Sequence, residues 1–162
     1  VEFWSPDQPI LYHAVAIIRS SSQGSTHFEA FDYAVARFGV RRIEFSAGHG
    51  FRLNDQPMKL YGGCIHHDNG PLGGRAIAGA IIRKVQILKE NGYNALRIAH
   101  NPDAPVLVET CDRLGIMLIA DAFDCWREGK NPQDYHLYFD QWWPRDLVPL
   151  CCLESCIRAS DV

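Results

Sequence analysis

KLYGGCIHHD at residues 59–68, NALRIAHN at 94–101 and IMLIADAFDCW at 116–126 decide the fold. Each opens as a short apolar run with the composition of a β-strand and ends in polar groups: His66, His67 and Asp68, then Arg97, His100 and Asn101, then Asp121, Asp124 and Trp126. Amphipathic segments lie between the runs. Strand, helix, strand, helix, strand is the rhythm of a parallel sheet with crossover helices. Because parallel strands all point one way, their carboxyl ends converge, and three polar strand ends in succession describe part of a site.

Working outward, the first helix is expected over about 76–91, with Ile77, Ile81, Val85 and Leu88 recurring at steps of four and three and Gly92 as its stop signal. The second opens with Asp103 as cap and Pro105 in its first turn, buries Leu107, Cys111 and Leu114, and ends at Gly115. A third is expected from about Pro132–Tyr135, carrying Tyr138, Trp142 and Trp143. Such alternation leaves an open doubly wound sheet or a (β/α) barrel. The first strand-helix junction, HHDNGPLGGR, fits neither glycine-rich phosphate-loop pattern, so the nucleotide-binding open sheet is disfavoured. The fold class is therefore α/β, a partial (β/α) TIM barrel of three βα units, since a full barrel needs roughly 250 residues.

Residues 1–45 have another texture. ILYHAVAII, the turn-like SSSQGST, the run from Phe28 through Val40 and RRIEF read as antiparallel strands, the later part of an immunoglobulin-like β-sandwich. FSAGHGFRLNDQP joins them to the barrel part, residues 46–162, with Asn54-Asp55 as a hairpin turn. The opening VEFWSPDQP reads like the middle of a larger chain and lacks the layout of a secretion signal.

The chain's 162 residues, 47% hydrophobic, suit a globular core, and 16 basic against 19 acidic side chains give no electrostatic reason to expect nucleic acid or an anionic membrane as partner. No apolar run is long enough to cross a bilayer. Six cysteines form no CxxC pair, and no third ligand spacing accompanies His66 and His67, so neither a metal nor another cofactor is expected. Cys64 and Cys111 sit among apolar neighbours and read as small buried hydrophobes.

Adjacent strand residues point to opposite faces, so one of His66 and His67 should face the barrel mouth while the other packs. Arg97 lies inside an apolar strand, where a guanidinium needs a carboxylate partner, and Asp121 is read as an acceptor for Arg97 or for a backbone amide. His100 and Asn101 present directed donors and acceptors suited to sugar hydroxyls. Asp124 shares the third strand end with Asp121, and Trp126 offers a platform for the apolar face of a sugar ring.

WSPDQPILY, FGVRRIEF, GFRLNDQPMKLYGGCIHHDNGPLG, ILKENGYNALRIAHNP, CDRLGIMLIADAFDCW and FDQWWPRDL together resemble glycoside hydrolase family 2, which holds β-galactosidases, β-glucuronidases and β-mannosidases. The resemblance implies a sandwich leading into a barrel, a carbohydrate substrate, and a retaining mechanism with two glutamates. By the same resemblance Arg97 and His100, the arginine and histidine of NxxRxxHxP, line the sugar subsite, with His66 or His67 beside them. The acid-base and nucleophile glutamates of such enzymes fall after the third strand and are absent here, so the chain alone is expected to be inactive. Ala120-Asp121 stands where the family commonly shows Asp-Glu. After Leu147 the likeness ends, and VPLCCLESCIRASDV at 148–162 is an atypical tail, read as a shifted frame. A sugar-binding or interaction module on the same scaffold is the competing reading, and the exposed edges of a part-built barrel favour self-association.

Overall fold

The computed structural model describes residues 1–20 and 29–154, with side chains for 1–19 and 32–148. The SSSQGST turn and most of the tail from 148 onward lie outside the described residues. β1 (Tyr12–Ser20) pairs antiparallel with β2 (Glu29–Phe38). In this ladder Val15 lies opposite Val35 and Ile17 opposite Tyr33, and this apolar face is open. A second antiparallel sheet joins β3 (Ile43–Ser46), β4 (Gly50–Leu53) and β5 (Gln56–Pro57). The expected 45/46 boundary falls within β3. Asn54 and Asp55 form the β4–β5 turn with φ of 51° and 67°, left-handed values that Asn and Asp tolerate better than other side-chain-bearing residues.

The three deciding runs form one parallel sheet of β6 (Gly62–Ile65), β7 (Ala95–Ile98) and β8 (Met117–Ala120) in that spatial order. α1 (Ala78–Glu90) connects β6 to β7, α2 (Pro105–Leu114) connects β7 to β8, and α3 (Phe139–Glu154) follows a long loop. Residues in register share a sheet face, so the rungs Gly63–Leu96–Leu118 and Ile65–Ile98–Ala120 turn together toward the helices. There Leu96 and Ile98 pack with Ile81, Val85, Leu107 and Cys111, each fully buried aliphatic side chain contributing roughly 1.5–3 kcal/mol. The expected stripes of α1 and α2 are these contacts, except that Ile77 precedes α1 and is exposed.

The other sheet face is divided. The rung Gly62–Ala95–Met117, at the amino ends of the strands, is covered by Trp4 and Leu53. The rung Cys64–Arg97–Ile119, toward the carboxyl ends, is open. This corrects the reading of Cys64 as buried: it is exposed because it shares the face of Arg97 and Ile119, whereas Cys111 is fully buried on α2.

Two helix starts also differ from expectation. Asp103 does not cap α2, whose flanking residue is Ala104; its carboxylate is drawn away to His67, and Pro105 starts the helix. The third helix begins at Phe139 and not near Pro132, because Asp134 captures the surrounding amides and holds residues 130–136 in a turn. Gly115 ends α2 with φ +72°, and a Cβ there would lie 2.2 Å from the Pro6 carbonyl oxygen. Lys89 donates to both the Pro6 and Gly115 carbonyls, at 2.7 and 2.9 Å, tying the amino-terminal segment to the helix layer.

Asp112, only 7% exposed on α2, faces Arg41 across this junction. Desolvation outweighs the attraction of Arg41 and pushes the Asp112 carboxyl up to about 6, while burial lowers the Arg41 guanidinium to about 10. A carboxyl raised in the folded state contributes stability below its unfolded value, and that contribution is lost as pH rises through the folded value. Wild-type stability relative to Asp112→Asn should therefore fall between about pH 4 and pH 6, by about 2–3 kcal/mol at most. Urea unfolding of both chains at pH 4, 5, 6 and 7 measures it, and parallel pH profiles would overturn the assignment.

Candidate functional site

Arg97 rises from the open rung of β7 and pairs with Asp121, the first residue after β8. Its Nε donates to Oδ1 at 3.2 Å and its Nη2 donates to Oδ2, the two-pronged geometry a planar guanidinium offers a carboxylate. With side-chain exposures of 41% and 19%, the pair is half in solvent and carries a smaller desolvation cost than a buried pair. Cys64 Sγ lies 3.7 Å from Nη1 on the far side of the guanidinium.

His100, two residues past β7, brings Nδ1 to 3.6 Å from Asp121 Oδ2 and 3.9 Å from Asp124 Oδ1. Lys130 donates its ammonium to Asp124. That bond first, and His100 further, hold the Asp124 carboxyl below the usual carboxylate range. Arg97, Asp121, His100, Asp124 and Lys130 thus form a chain in which nitrogen groups alternate with carboxylates, along a cleft of about 560 Å³ that also takes in Phe123 and Trp126. Trp126 is 55% exposed, edge-on to Phe123 at 5.3 Å. Phe123 is stacked on Tyr135, with ring centres 5.1 Å apart.

The two adjacent histidines, both past the end of β6, point different ways and neither lines the cleft itself. His66 sets its ring edge-on to His100 with centres 5.5 Å apart. His67 turns away, its Nδ1 2.6 Å from Asp103 Oδ1 and its Nε2 3.0 Å from the Gly74 carbonyl oxygen. The Asp103 hydrogen bond raises the pKa of His67 above the ordinary histidine value, and the pair clamps the loop after β6 to the loop after β7. Asp68 and Asn101 stand outside the cleft lining: the Asp68 carbonyl accepts from Lys84 beside a separate hollow of about 360 Å³, and Asn101 is exposed. Among the polar and aromatic residues that line the cleft, Lys130 and Phe123 escape sequence reasoning. Lys130 sits in a polar turn, GKNP, with no periodic signal, although Phe123 lies between the two strand-end aspartates.

Alternating carboxylates and N–H donors beside an exposed indole can grip vicinal hydroxyls and the C–H face of a sugar. General acid catalysis near neutrality needs a carboxyl held protonated, and Asp124 is shifted the opposite way. Among the described residues no glutamate lines the cleft, and no group of three or more His, Cys, Asp or Glu is arranged to hold a metal ion. No helix among them is long and apolar enough to cross a membrane.

The model of the TIM barrel domain of glycosyl hydrolases family 2 matches residues 46–129. Beta-galactosidase BoGH2A of Bacteroides ovatus is 40% identical over 146 residues, covering 90% of this chain and 16% of that protein. A putative beta-glucuronidase of Formosa agariphila is 35% identical, covering 90% of this chain and 14% of that one. Among solved structures, a family 2 glycosyl hydrolase from Bacteroides cellulosilyticus superposes with a TM-score of 0.83 at 44% identity, over 95% of this chain and 19% of its own. A beta-glycosidase from Bacteroides vulgatus gives 0.84 at 31% identity, over 96% and 20%. The chain therefore spans 16% and 14% of the length of the first two relatives. Its parallel sheet, α1 and α2 fall within the residues matched by that barrel domain, and the chain belongs to glycosyl hydrolase family 2.

Proposed function

We propose that the cleft is part of the sugar-binding site of a glycoside hydrolase that cleaves terminal β-linked sugars, galactosides first, by a retaining mechanism. The alternating chain from Arg97 to Lys130 at the strand ends carries this reading, with His66 beside His100 and Trp126 as the sugar platform. Asp68, Asn101 and His67 belong to the loops that frame it. The cleft's Arg97 and Lys130 each already hold a carboxylate, Asp121 and Asp124, so among the described residues neither is free for the acid group of a uronic sugar. That arrangement favours neutral galactosides over glucuronides. The named relatives include enzymes of both kinds.

A retaining mechanism needs two carboxyls about 5 Å apart, one protonated and one nucleophilic. Among the described residues no glutamate lines the cleft and Asp124 is held below the usual carboxylate range, which supports a role for these residues in substrate binding, apart from bond cleavage. Residues 1–45 are assigned to an immunoglobulin-like sandwich and 46–162 to the barrel; the open apolar face of the β1–β2 ladder supports the first, since a sandwich buries such a face. Sheet edges at β6 and β8 support self-association.

Saturation-transfer NMR of the purified chain with methyl β-D-galactopyranoside and methyl β-D-glucuronide tests the reading. Expected are contacts to the galactoside at a Kd on the order of 1 mM, weaker contacts to the glucuronide, and no release of nitrophenol from nitrophenyl β-galactoside. No transfer to either sugar would remove the sugar-site reading. Turnover abolished by His100→Ala would instead show that the cleft catalyses.

A further inference from the structure

The loop after β8 is built around one carboxylate. Asp134 accepts the backbone N–H groups of Lys130 at 2.7 Å, Asn131 at 2.8 Å and His136 at 3.1 Å, and pairs with the His136 ring at Nδ1. These bonds, led by the Asn131 amide, hold the Asp134 carboxyl far below the usual carboxylate range. Gly129 is pressed against the same ring, and a Cβ there would lie 2.4 Å from His136 Nδ1. Asp134, Asn131, His136 and Gly129 all stand outside the cleft lining. Their effect is on what the loop delivers: Lys130 reaches Asp124 inside the cleft, and Tyr135 stacks on Phe123, which backs Trp126.

Residues 130–136 form no regular structure beyond the single turn Tyr135–Leu137, so nothing in the local backbone ladder sets where Lys130 and Tyr135 stand. Three amides and an imidazole converging on one carboxylate do set it, as a side chain can organise a turn in place of backbone pairing. We propose that Asp134 is a positioning residue of the cleft: it fixes the Lys130 ammonium on Asp124 and, through Tyr135 and Phe123, the exposed face of Trp126. Its consequence for sugar binding rests on the reading of the cleft as a sugar site. Its effect on Lys130 and Trp126 does not.

The test uses the full chain carrying Trp142→Phe and Trp143→Phe. Trp4 is fully buried, so acrylamide quenching then reports on Trp126. In that background Asp134→Ala should raise the quenching constant about twofold and speed hydrogen exchange of the Lys130 and Asn131 amides about tenfold or more, with the far-UV circular dichroism retained. Affinity for methyl β-D-galactopyranoside should fall about fivefold or more. Asp134→Asn, which keeps a carbonyl acceptor, should recover part of each change. Unchanged quenching and exchange in Asp134→Ala would overturn the proposal. Loss of the folded spectrum in both variants would also overturn it, assigning Asp134 to global stability. If the parent chain binds no galactoside, the sugar reading fails while quenching and exchange still decide the role of Asp134.

Discussion

Trp4→Ala is expected to cost about 3–5 kcal/mol of folding stability, enough to unfold much of a domain whose whole margin is typically about 5–15 kcal/mol. Trp4 is fully buried and closes the amino-terminal end of the parallel sheet against Ala95 and Met117, with Leu53 beside it. Its indole N–H donates to the Asp112 carbonyl at 2.8 Å, its own amide donates to the Val40 carbonyl at 2.8 Å, and its carbonyl accepts from Asn54 at 3.0 Å. Arg41 stacks over the ring at 5.0 Å. Truncation would open a cavity and leave the Asp112 carbonyl without its donor, two costs that add. Because Trp4 touches the segment before β3, the β4–β5 turn and α2, the loss should be cooperative across all three. Equilibrium urea unfolding followed by circular dichroism measures it. Phe3→Ala, at a half-exposed neighbour, serves as control and should change stability by about 0.5 kcal/mol or less. A Trp4→Ala cost below about 1 kcal/mol would mean that something other than this indole closes the strand ends.

The second large effect is on binding. Arg97→Gln should weaken methyl β-D-galactopyranoside at least about tenfold, since hydrogen bonds to charged groups contribute about 1.5–3 kcal/mol. The guanidinium orients Asp121 with two parallel bonds, and Asp121 in turn faces His100. Without it the carboxylate is free to rotate toward His100, and the order of donors and acceptors along the cleft is lost. Arg97→Lys should not restore affinity, because a point ammonium cannot make the two-pronged contact. Arg97 is half exposed, so the chain should remain folded, which circular dichroism and unchanged Trp4 burial would verify. Titration followed by NMR gives the ratio directly. Wild-type affinity in Arg97→Gln would reduce the ion pair to a structural contact and detach it from the proposed sugar site.

Much of the cleft lining could be read from the sequence alone. The alternation of apolar runs and amphipathic segments fixes which residues end strands, because side chains repeat every two positions on a strand and about every 3.6 on a helix. That periodicity placed Arg97 and Asp121 at neighbouring strand ends. It also marked Gly115 and Asn54-Asp55 as turns, since left-handed backbone angles select those residue types. Cys64, Asp103, Lys130 and Asp134 were opaque for a common reason. Whether Cys64 is buried depends on what covers its sheet face, and Asp103 could cap its own helix or bond His67, 36 residues away, with equal local plausibility. Lys130 reaches the cleft only because Asp134 folds its loop inward.

The sequence by itself determined the elements, their order, the direction of the strands and the set of polar residues at their ends, because these follow from local periodicity and from backbone preferences within a few residues. Only the tertiary structure decided which of those polar groups meet. Carboxylates choose among donors by distance, and the distances among β7, β8 and the loop that follows are set by helices and an indole packed on opposite faces of one sheet.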